Sequence, residues 1–245
     1  KTPVPLWGLV RMNRYHSMNL QYSRGCPFSC EFCDITTLYG RKTRSKTTAQ
    51  VIGELEALYM AGWRGSVFFV DDNFIGNRKV LKDDVLPAMI EWMKKRRYPF
   101  DLATEVSINL ADDEQLMRQM IQAGFEGVFV GIETPDDRSL EECNKFQNRG
   151  RDLLAGVKRI QQLGLRVRGG FIVGFDSDSP EIFERQIRFI QESRIVTAMV
   201  GMLNAPSGSR LYERLKREGR LGEEITGDNT DCSTNIIPRM GYERL

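Results

Sequence analysis

The chain has 245 residues, 41% of them hydrophobic and 28% charged, which is enough apolar material for a large core. A net charge of +2 supplies no global field arguing for nucleic acid or a membrane surface. No apolar run approaches the roughly 20 residues needed to cross a bilayer and no secretory leader is visible, so the expectation is a cytoplasmic protein with no transmembrane segment and no nucleic-acid partner.

The first residues, Lys1 to Trp7, are Pro-rich and lack an initial methionine; they read as an arm or the end of a linker. An apolar run from Met18 to Tyr22 predicts a first strand. Ser23-Arg24-Gly25 then leads into a stretch holding three of the five cysteines, Cys26, Cys30 and Cys33. A helix is expected from about Thr48 to Met60. Thr47 with Gln50 makes its capping box, Val51, Leu55, Leu58 and Tyr59 recur at helical spacing, and Gly62 ends it. Val67 to Val70 is wholly apolar, as a parallel strand buried on both faces should be. A helix from about Lys79 to Lys95 follows, capped by Asn77 and kinked at Pro87. Strands are expected at Leu102 to Val106, Val128 to Ile132, Val167 to Val173 and Val196 to Leu203. Between them fall a helix capped by Asp112, one from about Arg151 to Leu163, and one opened by Ser179-Pro180 and running to about Glu192. A last short helix spans Leu211 to Glu218, and beyond Gly222 no period is visible.

Strands alternating with helices over short loops argue for βαβ units in a parallel sheet. In α/β barrels the site lies where the strands end. Those ends carry the cysteine stretch, Asp71-Asp72-Asn73, Glu105, Glu133-Thr134, Asp176 and Asn204 to Gly208. Such a succession predicts a common rim around one cavity, which favours a curled, barrel-like sheet over a doubly wound one.

Clustered thiols in a chain without a secretory signal read as a metal site rather than a disulfide framework. Soft sulfur suits zinc or an iron–sulfur cluster. Zinc would need a fourth ligand from His16, Cys143 or Cys232; a four-iron cube held by three cysteines would keep one iron open for chemistry. Otherwise His16 reads as structural, and Cys143 and Cys232 as ordinary thiols. Met117, Met120, Met199 and Met202 read as core, and Arg41, Lys42, Arg44 and Lys46 as a solvated basic face.

The Cys-x3-Cys-x2-Cys spacing after a first strand resembles the radical SAM superfamily. The longer runs Ser23 to Ile35, Phe69 to Asn77, Gly131 to Pro135 and Gly170 to Asp176 are similar to its cobalamin-associated class B, in the group with a C-terminal extension that includes hopanoid C-2 methylases. The resemblance implies a partial (β/α)6 TIM-like barrel with a short C-terminal extension, divided as arm 1–16, barrel 17–205 and the start of the extension 206–245. It implies a [4Fe-4S] cluster on Cys26, Cys30 and Cys33, and S-adenosylmethionine (SAM) chelated to the open iron. Asp71, Asp72 and Asn73 would hold the SAM amino group. Glu105 would hold the ribose hydroxyls, with Glu133 near the ribose or methionine. Arg149, in Asn148-Arg149, would clamp the carboxylate. Gly170 and Ile172 would lie against the adenine, with Phe32 touching it. The implied activity is reductive cleavage of SAM to a 5′-deoxyadenosyl radical in a cobalamin-dependent methyltransferase. A radical SAM enzyme of non-methylating type and a non-catalytic zinc or cluster module are the alternatives. A small-molecule or lipid substrate and a reductant such as flavodoxin or ferredoxin would be the partners. No Asp-x-His-x-x-Gly corrin-ligand motif occurs between Lys1 and Leu245, so the chain is expected to extend N-terminally in the native protein and not to transfer a methyl group alone.

Overall fold

The structure, a computed structural model, describes residues 2–222 and 233–245; Cys232 lies outside them. In chain order the strands are β1 (Ser17–Leu20), β2 (Ser23–Arg24), β3 (Arg44–Ser45), β4 (Gly65–Phe69), β5 (Phe100–Val106), β6 (Phe125–Glu133), β7 (Arg166–Val173) and β8 (Thr197–Met202). The helices are α1 (Ile35–Leu38), α2 (Thr48–Met60), α3 (Arg78–Val80), α4 (Leu86–Lys95), α5 (Glu114–Gln122), α6 (Asp137–Glu142), α7 (Leu153–Gln162), α8 (Ile182–Ser193) and α9 (Arg210–Arg217). Six strands form one parallel sheet in the order β1-β4-β5-β6-β7-β8, curled into a half-barrel. Among the described residues no helix is long and apolar enough to cross a membrane.

The sheet follows from its sequence. Val67 and Phe69 in β4, Val128 and Val130 in β6, and Val167 and Phe171 in β7 are buried on one face of each strand. Phe68 and Phe129 between them are only half-buried, and Val70 is 37% exposed. The expected burial of both faces is thus not met, and the core lies against one face of the sheet. Phe69, Phe74 and Phe125 pack with ring centroids 5.1 to 5.7 Å apart, and fully burying each ring is worth about 1.5–3 kcal/mol. Helix α2 has the expected capping box: Thr47 Oγ1 accepts from Gln50 N, and the Gln50 side chain accepts from Thr47 N.

Several boundaries differ from expectation, each for a local reason. The helix predicted over Lys79 to Lys95 is divided: α3 passes through a π-helical stretch, Leu81–Val85, into α4. Pro87 has no N–H and its ring crowds the carbonyl four residues back, so the helix widens just ahead of it. Asp113, not Asp112, caps α5, accepting from Leu116 N at 3.1 Å; Asp112 pairs with Arg151 at 2.9 Å. Helix α8 starts two residues later than Ser179-Pro180 predicts, with Glu181 at its N-cap. Helix α6 was not anticipated, because six residues are too few to show a period. Met117 and Met120 are core, but Met199 is 51% exposed.

Candidate active site

The cysteine stretch is an excursion of chain pinned at its base. β2 and β3 pair antiparallel, Ser23 with Ser45 and Arg24 with Arg44, so residues 25–43 leave and return through one narrow neck. Gly25 sits at φ +94°, and a Cβ there would come within 2.9 Å of the carbonyl oxygens of Gly40 and Lys42, so only glycine fits. Asp71, at the end of β4, fixes the start of the excursion. Its carboxylate accepts from Tyr22 N at 2.9 Å, from Ser23 N, and from Ser23 Oγ at 2.6 Å. Burial pushes its pKa up to about 6 despite these donors. Asp71 therefore braces the loop and, being fully engaged in this way, is not placed to meet a ligand.

Cys26, Cys30 and Cys33 line one cavity of about 240 Å³. All three are free and half-buried. Burial raises the pKa of Cys26 and pushes that of Cys33 up to about 12. Across the cavity stand Asp72, Asn73 and Glu105. Asp72 accepts from Gly25 N at 3.2 Å. Asn73 Oδ1 accepts from Ser107 N at 3.2 Å, which ties the end of β4 to that of β5. Glu105 is pushed up to about 7, first by burial and then by the charges of Asp72, Asp71 and Glu133. It is poised to give or accept a hydrogen bond near neutral pH.

Glu133 and Lys145 complete the wall. Glu133 ends β6 at φ +63°, beside a register shift against β7. A left-handed glutamate is uncommon, and such strain gathers at functional sites. Its Oε1 accepts from Lys145 Nζ at 2.5 Å. Lys145 reaches the cavity because of how α6 ends. Asn144 adopts φ +57°, Asn144 N donates to Glu141 O at 3.1 Å and Lys145 N to Leu140 O at 2.8 Å. That is a Schellman turn with asparagine in the left-handed position, and it aims the next side chain inward. Burial alone would lower the Lys145 pKa, but the adjacent Glu133 charge outweighs it and holds the ammonium charged. Its Nζ also lies 6.0 Å from the centroid of the Phe32 ring.

Arg149 does not join this group. It is 3.1 Å from Glu141, its side chain 44% exposed, and the cation on the cavity wall is Lys145. Lys145 is a cavity residue that the sequence reading does not single out; Asn144, an asparagine just past a short helix, is the signal that points to it. His16 is exposed before β1. Asp176 is committed to ion pairs with Arg214 and Arg220, its side chain 10% exposed. Gly170 and Ile172 line a second cavity of about 530 Å³ that shares Phe32, Cys33 and Glu133 with the first. A Cβ at Gly170 would fall 2.7 Å from the Phe129 ring, so this glycine makes room for a cavity-lining aromatic. Phe32 packs on Phe175, centroids 6.3 Å apart.

Among the described residues no trio of His, Cys, Asp or Glu is drawn close enough to grip a single ion. A four-iron cube differs, since each thiolate takes a separate iron. The three-thiol donor set fits such a cube, and the buried, unpartnered Gln147 Oε1 on the same cavity wall fits a site that takes a further polar group.

Residues 20–190 match the radical SAM superfamily, and residues 209–245 a domain of unknown function, DUF4070. The chain belongs to the radical SAM superfamily and is thus part of an enzyme rather than a structural metal module. It is 48% identical over its whole length to an uncharacterized methyltransferase, sll1242, of Synechocystis, covering 46% of that protein. It is 42% identical over 96% of its length to the hopanoid C-2 methylase of Rhodopseudomonas palustris, covering 44% of it. The chain thus spans about half the length of these curated relatives. The fold is shared with the radical SAM methyltransferase TsrM of Kitasatospora setae, solved with cobalamin and a [4Fe-4S] cluster: TM-score 0.72, 15% identity, 82% of this chain and 37% of that one. It is also shared with the cobalamin-dependent enzyme OxsB, solved with aqua-cobalamin and SAM: TM-score 0.59, 19% identity, 83% of this chain and 30% of that one.

Proposed function

We propose that this chain is the SAM-cleaving unit of a cobalamin-dependent methyltransferase. The observation that carries the reading is the convergence of Cys26, Cys30 and Cys33 on one cavity with Glu105, Glu133 and Lys145. The cysteines would hold a [4Fe-4S] cluster, which when bound and reduced supplies the electron that cleaves SAM to methionine and a 5′-deoxyadenosyl radical. Lys145, not Arg149, takes the SAM carboxylate; a buried ammonium released in part from Glu133 is a charge-assisted partner for it. Asp72 faces the amino group, and Glu105 accepts from the ribose hydroxyls. Asp71 braces this wall from behind, and Asn73, on the wall itself, ties β4 to β5. The second cavity, lined by Phe129, Gly170, Ile172 and Met202, takes the adenine and opens toward the substrate.

Methyl transfer to a small-molecule or lipid acceptor is supported by the names of the relatives, and cobalamin as the carrier by the two solved neighbours. The cofactors carry the hard chemistry and the chain positions them. An electron donor of the flavodoxin or ferredoxin type and a cytoplasmic setting, where thiols stay reduced, complete the reading.

The test is anaerobic reconstitution with iron and sulfide. The unsubstituted chain should turn brown and release 5′-deoxyadenosine from SAM under strong reductant, and Cys30→Ala should do neither. Release of 5′-deoxyadenosine by Cys30→Ala would sink the cluster assignment.

A further inference from the structure

The residues between the cysteines are held from outside the half-barrel. The Arg210 guanidinium donates to Ser29 O. Leu211 N donates to Glu31 O at 2.9 Å. Arg214 grips the Glu31 carboxylate with two nitrogens, at 2.9 and 3.2 Å. All three donors lie on α9, within the region matched by the domain of unknown function. On its other side Glu31 N donates to Cys143 O at 2.8 Å. Phe32 packs against an apolar cluster that includes Leu211 and Leu215 of the same helix. The stretch Arg210 to Leu215 of α9 thus reaches Ser29, Glu31 and Phe32, which flank Cys30 and lead to Cys33.

Arg214 is itself fixed. Its third nitrogen is 2.9 Å from Asp176, at the end of β7. Asp176 in turn receives Arg220 at 2.6 and 2.9 Å. The guanidinium therefore spans the cysteine loop and the barrel rim, and a planar fork suits two carboxylates better than an ammonium would. Both side chains of the Arg214–Glu31 pair are largely buried, where such a contact is little screened by salt.

We infer that helix α9 is a clamp on the cluster loop, and that Arg214 is its positioning residue, setting the separation of Cys30 and Cys33 through Glu31. This gives α9, within the domain of unknown function, a role in holding the loop that carries the cofactor's ligands. The inference rests on the cluster reading of the three cysteines.

Two measurements on the full chain test it. In the apoprotein, thiol alkylation is followed site by site by peptide mass spectrometry. Arg214→Met should raise the rates at Cys30 and Cys33 about tenfold, the scale of one lost charge-assisted contact, with Cys26 and the buried Cys143 little changed. Glu31→Gln should act in the same direction and less strongly, Arg214→Lys should restore part of the protection, and Arg217→Met, on the exposed side of α9, should change nothing. In the reconstituted protein, loss of iron to a chelator should quicken in the same rank order. Unchanged rates at Cys30 and Cys33 would overturn the clamp. So would a uniform rise at Cys26, Cys30, Cys33 and Cys143, which would mean general loosening. If the unsubstituted chain takes up no iron, the cluster reading falls, and the alkylation rates still decide whether α9 holds the loop.

Discussion

Two buried lysine–glutamate pairs flank the cysteine loop, and they are built differently. Lys46 follows β3 and meets both oxygens of Glu54 at 2.6 and 2.8 Å. Glu54 sits in the regular helix α2, its side chain 4% exposed. Lys145 and Glu133 are equally sheltered, at 11% and 10%, but Glu133 stands on a left-handed backbone at a sheet irregularity and faces a cavity. The first pair is satisfied on unstrained backbone. The second is held in a costly conformation next to space that a ligand can enter. Identical chemistry is thus structural in one place and available in the other, and the backbone beneath it tells which.

The largest expected effect breaks the structural pair. Lys46→Met leaves Glu54 buried without its cation and should cost on the order of 3–5 kcal/mol in denaturant unfolding, while the folded fraction binds SAM as before. Lys145→Met should instead lower SAM affinity about ten- to a hundred-fold by calorimetry, the loss of one charge-assisted contact worth roughly 1.5–3 kcal/mol. Equal SAM affinity in both variants would erase the distinction.

Glu105 sharpens the comparison through pH. Its pKa rises on folding from 4.5 to about 7, so between these values the folded chain binds more protons than the unfolded one, and stability falls as pH rises. Glu105→Gln should therefore stabilise the ligand-free chain by about 2 kcal/mol at pH ~8, allowing for partial solvent screening. The gain should fade toward pH ~5, where the native carboxyl is already neutral in the fold. Thermal melts at the two pH values measure it; a gain that grows on acidification would contradict the assignment. The smallest effect belongs to Arg149→Ala. An exposed ion pair with Glu141 is worth about 0–1 kcal/mol, and SAM affinity should not move. A tenfold loss would return the carboxylate clamp to Arg149.

What the sequence made legible divides along the same line. The capping box of α2 could be read because Thr47 and Gln50 are three residues apart, and the strands because their apolar runs are continuous. The cysteine spacing and Glu105 lie on or beside such elements. Lys145 was missed because its direction is set by Asn144 at the end of a helix too short to show periodicity. The polar triplet Asp71-Asp72-Asn73 looks the same in sequence whether a side chain lines the cavity, as Asp72 and Asn73 do, or braces the neighbouring strand, as Asp71 does. Only the three-dimensional bonds of Asp71 to Tyr22 and Ser23 separate these uses.

Asp71 also limits which residues position 71 can tolerate. Both of its oxygens are committed, Oδ2 to Tyr22 N and Oδ1 to Ser23 N and Oγ. Asparagine would offer one accepting oxygen and turn its NH2 toward a backbone N–H, leaving buried donors opposed. Glutamate would push one more methylene into a site with 1% exposure. The outermost strand of the half-barrel is thus stitched to the next by an acid of one particular length, and the cysteine loop takes its starting direction from that stitch. A side chain that never faces the cavity is among those least free to vary.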